Sequence, residues 1–539
     1  MIYNSNIIYL KDFSGKDDRE IFANAISYMK AHPATTLIVE PKVYSITSEL
    51  ARKAQSNVMN GIYGEDQERE IFNPHYKYTR GIHFDGLKDC KIEAYGATLM
   101  VDGFMEPISI TNCQNIEVCG FTVDHKRKPF SKATVTHAQS LPDTSSRKLY
   151  LEFDEDCPIK RDTPCRLRYV LYDPVTDELA WADYIEEELY SFIDERHVSL
   201  IVDDLRFGVG SEFYTTHTYH SRPAVLIENS LNVTLNGITV HSQPGMGIVG
   251  NRSENIALYR VEIVPSKGHK ISTNTDATHF TSIKGKLTLE NCRFIGCGDD
   301  FTNIHGYYQE IIERVSPRVC YIQEKTPDGT HAQTLDYPDV GDTLELSSFK
   351  TLETLDTFRV IDVEPLFDEW KCKITLDHDL PENTDNTVMC DVTRLPEVEI
   401  RGCYAADHYA RGAMIKTRSA LIENNLFHNV DHTAILVASE ASWFEGATPT
   451  NVTIQNNVIT DSRSSDKVAG ISVRVKCDTP SGCPIKNIRI LNNVIHAPRC
   501  DHAIELKNID GVFLSNNICT VQNEPVIIKN CTNITISEE

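Results

Sequence analysis

Positive charge is in short supply: the 539-residue chain has 53 Lys and Arg against 77 Asp and Glu, a formal net charge of −24. With a sequence pI near 5.2, this balance argues against nucleic acid or an anionic membrane surface as the main partner, since both are polyanions. A neutral substrate suits it better. Long apolar runs are missing too, and no stretch reaches the ~20 residues that span a bilayer. Met1–Asn6 lacks a basic region followed by an apolar run and a cleavage site, so a cytoplasmic location is expected, with a secreted form whose signal has been removed left open. The 16 cysteines contain no Cys-x-x-Cys pair, which argues against a zinc ribbon and leaves reduced, buried thiols. Tryptophan occurs only three times, so the place of each one is informative.

What is present is repetition. Asp17 and Glu20 can cap a helix whose Ile21, Phe22, Ala25, Ile26 and Met29 share one apolar face, and Pro33 stops it. Residues 36–46 then read as strand, turn and strand. From about Cys90 onward short strands recur, each an apolar alternation followed by Asn-Asn or Asn-Cys and another apolar pair. Asn291-Cys292, Asn424-Asn425, Asn456-Asn457, Asn492-Asn493 and Asn516-Asn517 mark the unit. Units too small to bury their own faces must stack. Asn suits the bend because it tolerates a left-handed backbone, and its amide can bond the next coil in a ladder. The regular Leu frame of a leucine-rich repeat is absent. The pattern predicts an all-β chain, a right-handed parallel β-helix, and the helix before it resembles the N-terminal cap of pectin-lyase-like proteins.

Two stretches, 126–222 and 308–397, break the repeat with antiparallel-strand and turn signals. They predict inserted β-barrel-like domains, dividing the chain into a cap and first coils (1–125), the first insertion, coils 223–307, the second insertion and C-terminal coils (398–539). The second begins directly after an acidic coil and is expected to overhang it.

That coil is Gly296-Cys297-Gly298-Asp299-Asp300-Phe301-Thr302-Asn303-Ile304-His305-Gly306, and one coil upstream lies Asn274-Thr275-Asp276-Ala277-Thr278-His279. Adjacent carboxylates between glycines are costly unless acid chemistry needs them close enough for one to keep its proton. Equivalent positions on successive coils are roughly 4.8 Å apart, so Asp276, Asp299 and Asp300 should share one face. Either glycosidase spacing is open at this stage: roughly 5–5.5 Å for retention or 6.5–9.5 Å for inversion. Further on, Arg411 and Lys416 place cations beside them, and Trp443-Phe444-Glu445-Gly446 offers an aromatic and an acid suited to a sugar. Asn274, His279, Asn303, His305, Arg411, Lys416, Trp443 and Glu445 are the candidate substrate-binding residues, with the histidines equally suited to orienting carboxylates. His428, Asp431 and His432 have metal-like spacing, but strand alternation sends neighbours to opposite faces, so no metal is expected. Arg474 and Lys476 share a strand face.

The Asp276, Asp299-Asp300 and Asn303-Ile304-His305-Gly306 segments, with Trp443-Phe444-Glu445-Gly446, resemble glycoside hydrolase family 110 over most of the chain. The resemblance implies an exo-acting, inverting α-1,3-galactosidase on a β-helix with barrel insertions. It needs no metal or other cofactor, and a carbohydrate with terminal α-galactose is its substrate. Asp276 then matches the general acid, and Asp299 and Asp300 the pair that activates water. The field of two anions on the neighbouring coil is expected to raise the Asp276 pKa. A family 28 polygalacturonase is the alternative: Asn274-Thr275-Asp276 and Asp299-Asp300 fit it, whereas Ile304-His305-Gly306 and the spacing of Arg411 and Lys416 do not. A non-catalytic carbohydrate-binding β-helix is the other. A homo-oligomer is compatible with the sequence.

Overall fold

The structure is a computed structural model that describes residues 6–65, 67, 70, 76–142, 144–324, 335–462 and 469–537. Helix Asp18–Ala31 closes the first coil, and the Asp17 carboxylate accepts the Glu20 N–H. Glu20 reaches back to the Lys16 N–H at 2.7 Å, one residue beyond the reciprocal partner of a standard capping box. Phe22, Ala25, Ile26 and Met29 are buried, and the Phe22 ring meets Tyr44 edge-on at 5.2 Å. A second helix, Glu49–Met59, follows, its first turn capped by the Ser48 hydroxyl.

Behind the helices the chain winds as a parallel β-helix. Each coil adds one strand to each of three parallel sheets, two of which have 13 and 11 strands. The third runs from Arg80–Asp85 to Val526–Lys529. Its inward side chains stack in register, Ile82 on Ile108, Val225 and Ile248, and they are all but fully buried. Such burial, about 1.5–3 kcal/mol for each aliphatic side chain, holds the stack together.

The Asn pairs divide the work of the bend. The first of each takes the left-handed backbone: Asn424, Asn456, Asn492 and Asn516 have φ of 58°, 56°, 53° and 52°. The second forms the ladder, buried at Asn425, Asn457 and Asn493 and half-buried at Asn517. Asn425 donates its backbone N–H and its amide to Asn457 Oδ1, Asn457 does the same to Asn493, and Asn493 to Asn517. In the N-terminal half a different, exposed ladder runs through Asp89, Asn115, Asn232 and Asn255.

Two antiparallel domains interrupt the coils at different corners. The first lies where the second sheet leads into the third, between Thr122–His125 and Val225–Glu228. It is a seven-stranded sheet with free edges at Glu178–Ala182 and Tyr190–Asp194. The second leaves the third sheet, and its six strands close into a barrel around Leu344, Leu346, Phe358 and Ile374. The 15-residue strand Thr302–Ser316 belongs to both the third sheet and this barrel.

Candidate active site

The aspartates sit at the corner between the second and third sheets. Thr278 stands beside Thr302, and the Ala277 N–H donates to the Asp300 carbonyl at 2.9 Å, so Asp276 lies opposite Asp300 on the next coil. Gly298 is required here for space: a Cβ would come within 2.2 Å of the Asn274 carbonyl oxygen. The result is three carboxyl groups with one oxygen each within 4.8 Å of the others. All three line a cavity of about 610 Å³.

Each carboxyl has its own counterpart. Asp299 accepts from Arg168 Nη1 at 3.0 Å, and that guanidinium also meets the Gly298 carbonyl and lies over the Tyr409 ring at 4.2 Å. Burial opposes ionisation of Asp299, but Arg168 and Arg411 outweigh it and hold the group below the usual carboxylate range. Asp300, 1% exposed, accepts the Arg411 N–H at 2.9 Å and Arg411 Nη2 at 2.8 Å. Burial pushes it well above its ordinary value, with Arg411 opposing and the charges of Asp299 and Asp276 adding. Asp300 is also the carboxyl with least access to water.

Asp276 is organised by a relay of histidines. Its Oδ2 is 2.6 Å from His279 Nδ1, and His279 Nε2 is 2.9 Å from His305 Nε2. His305 Nδ1 lies 2.9 Å from the Gly306 carbonyl, which only accepts, so that nitrogen carries a hydrogen. Burial lowers the His305 pKa to about 4; the ring is neutral and its Nε2 accepts. The hydrogen between the rings therefore belongs to His279, whose Nδ1 faces the Asp276 carboxyl at the cavity wall.

Of the remaining sequence candidates, Asn303, Arg411, Trp443 and Glu445 line the cavity with His279 and His305. Asn274 and Lys416 do not. Asn274 is wholly buried and donates to the Thr218 carbonyl and hydroxyl, tying down the chain as it returns from the first insertion. Lys416, also fully buried, is held by Asn303, by Glu440 at 3.0 Å and by Glu445 at 2.5 Å. It is covered because the Glu445–Gly446 strand pairs back onto Gly306 and Tyr307. Lys416 thus anchors Glu445 without meeting a ligand. His428 and His432 face different cavities. Arg474 pairs with Glu505 and Lys476 with Glu440.

Among the described residues the expected overhang is not found: none from the second insertion lines the cavity, whereas the first brings Arg168, Asp183, Tyr219 and His220. Its edge hairpin is fastened by the Trp181 indole N–H, which donates to the Asp407 carbonyl at 2.7 Å. Arg168 gave no local signal in the sequence: it lies 131 positions from Asp299, in a stretch outside the coil period.

No family model matches the chain. The chain is 27% identical, over 95% of its length and 86% of the relative's, to alpha-1,3-galactosidase B of Bacteroides thetaiotaomicron. It is 26% identical to alpha-1,3-galactosidase A of Bacteroides fragilis, over 81% of this chain and 73% of the relative. Among solved structures, the mannuronan C-5 epimerase AlgE4 A-module of Azotobacter vinelandii superposes with a TM-score of 0.46 at 11% identity, covering 98% of this chain and 100% of that one. A family 28 exopolygalacturonase of Yersinia enterocolitica gives 0.44 at 10% identity, covering 99% of this chain and 78% of that one. Over most of its length, the chain is a homologue of proteins named alpha-1,3-galactosidase.

Proposed function

We propose that this protein is an exo-acting glycoside hydrolase that releases terminal α-1,3-linked galactose from oligosaccharides or glycans. The observation that carries the reading is the meeting of three carboxyl groups in one cavity, one held ionised and one in contact with a histidine. They stand in a chain homologous to proteins of that name. Glycoside cleavage needs a proton for the leaving oxygen and an anion for the attacking water. Asp276, beside His279, supplies the proton. Asp299, kept ionised by Arg168, takes one from water. Asp300 gives that water a hydrogen-bonding neighbour that resists becoming a third full charge. Trp443 offers a flat apolar surface to a pyranose, and Glu445 accepts from its hydroxyls.

In this reading the reaction inverts, and galactose appears first as the β-anomer. The spacing of the carboxyls favours a second course, because nearest oxygens within 4.8 Å also suit the roughly 5–5.5 Å of retaining enzymes. NMR of galactosyl-α-1,3-galactose hydrolysis before mutarotation separates them: an initial α-anomer makes one aspartate a nucleophile. Cleavage of polygalacturonate and not of α-galactosides would overturn the function itself. Asp276→Asn should lower kcat/KM on the disaccharide by roughly 10²–10⁴-fold and much less on an activated aryl galactoside. Asp299→Asn should impair both.

A further inference from the structure

Two coils before the aspartates the same cavity changes character. Leu226, Val249 and His279 stand side by side in register on the outward face of the third sheet, so an apolar floor leads away from the proton donor. Past it the wall is formed by Tyr78, Arg80, Arg222 and Glu228. The Arg222 guanidinium lies over the Tyr78 ring, 3.7 Å from its centre. Arg222 is 6% exposed, and its buried Nε has no hydrogen-bond partner among the described residues. Leaving such a donor unsatisfied costs about 1–3 kcal/mol. Arg80 donates to the Tyr78 hydroxyl at 2.9 Å, and its Nε is 3.3 Å from Glu106.

Two acids lie beside these cations. Glu106 is wholly buried, takes the Ser109 hydroxyl, and is pushed up to about 7 by burial, with Arg80 and Arg222 opposing. Burial likewise raises Glu228. Both guanidiniums remain charged at any physiological pH, and the Arg222 Nε is left without a partner among the described residues. From the Val225 coil to the Thr278 coil there are two parallel steps, roughly 10 Å. If the galactose at the aspartates is terminal, a group bound that far away belongs to the rest of the glycan.

We propose that the Tyr78–Arg80–Arg222 end of the cavity is a subsite for an oxyanion, a carboxylate or a sulfate ester, carried by the sugars on the leaving-group side. This rests on the galactosidase reading for its substrate frame. The planar guanidinium suits either anion, because it presents paired donors to two oxygens.

The test compares galactosyl-α-1,3-linked oligosaccharides that are neutral, carry a uronate, or carry a sulfate on the leaving-group side. The wild type should show kcat/KM at least about tenfold higher for one of the anionic substrates than for the neutral one. That ratio should shrink as salt is raised. The arm that gains identifies the anion. Arg222→Gln should bring the ratio close to one, and Arg222→Lys should recover it only in part. Should Arg222→Gln fail to fold, Arg80→Gln and the wild-type ratio still decide. Equal kcat/KM for neutral and anionic substrates in the wild type, or a preference that survives both substitutions, overturns the proposal. Calorimetric titration of Asp276→Asn with the three oligosaccharides keeps the two readings apart. Selective binding of an anionic ligand by a protein that cuts no α-galactoside would retain the subsite and reject the galactosidase.

Discussion

The two inserted domains make opposite contributions to the site, and the difference lies in the corner of the coil from which each grows. The first emerges where the second sheet turns into the third, the corner that also holds Asp276, Asp299, Asp300 and Arg411. Its sheet is open, so an edge hairpin can cross to the coils, where Trp181 bonds Asp407 and Arg168 reaches Asp299. The second emerges on the far side of the third sheet and closes on itself, keeping its apolar side chains around one small core. Proximity in sequence to the aspartates is therefore a poor guide to which insertion serves them. The corner of attachment is a good one, because every coil repeats the same corners in the same places.

The largest effect that would sharpen this contrast is expected from Arg168→Ala. Removing one partner of a buried charge pair leaves the other uncompensated, and with Asp299 no longer held ionised kcat/KM should fall by roughly 10²–10⁴-fold. The pH profile gives the sign. Arg168 holds the Asp299 pKa down, so the wild-type base stays ionised into mildly acidic solution. Without Arg168 that pKa rises, and the acidic limb of kcat/KM against pH should move to higher pH. An unshifted limb would mean that Asp299 is not the titrating base.

A comparable injury to the other insertion should damage stability and spare catalysis. Leu344 is fully buried in the barrel core, and Leu344→Ala should cost about 2–5 kcal/mol, read as a lower urea midpoint. Below the transition kcat/KM should stay within about twofold of wild type. A large drop there, with folding intact, would break the comparison by showing that the barrel acts on the site. The smallest effect is expected from Trp181→Phe, which keeps the ring packing and deletes one hydrogen bond worth about 1 kcal/mol. A few-fold rise in KM with little change in kcat should follow, since the hairpin carrying Asp183 loosens while the aspartates stay in place.

The fold was readable because a β-helix is built from contacts between near neighbours in sequence. The Asn pairs repeat at coil length, and each Asn has a local reason for its place, left-handed backbone for the first and ladder bonding for the second. The three aspartates were readable for the same reason, being one coil apart on a scaffold with fixed rise. Arg168 was not, because its partner lies across an insertion whose length follows no period. Lys416 was misread because strand alternation points it outward, whereas the Glu445–Gly446 strand folds back and covers it. The near-complete burial of the Asp300 carboxyl depends on how Arg411 and the neighbouring corner close around it, which neither charge spacing nor period describes.

The strand Thr302–Ser316 has a practical consequence for anyone who would trim this protein. Its first residues, including Asn303 and His305, pair in parallel with the coils on either side, and its last residues pair antiparallel within the barrel. No linker separates the two. Deleting the barrel means cutting a hydrogen-bonded strand a few positions beyond His305, whose neighbour Gly306 supplies the carbonyl that sets the relay's proton positions. The second insertion is the outer half of a catalytic strand, and a minimal version of the enzyme must keep it.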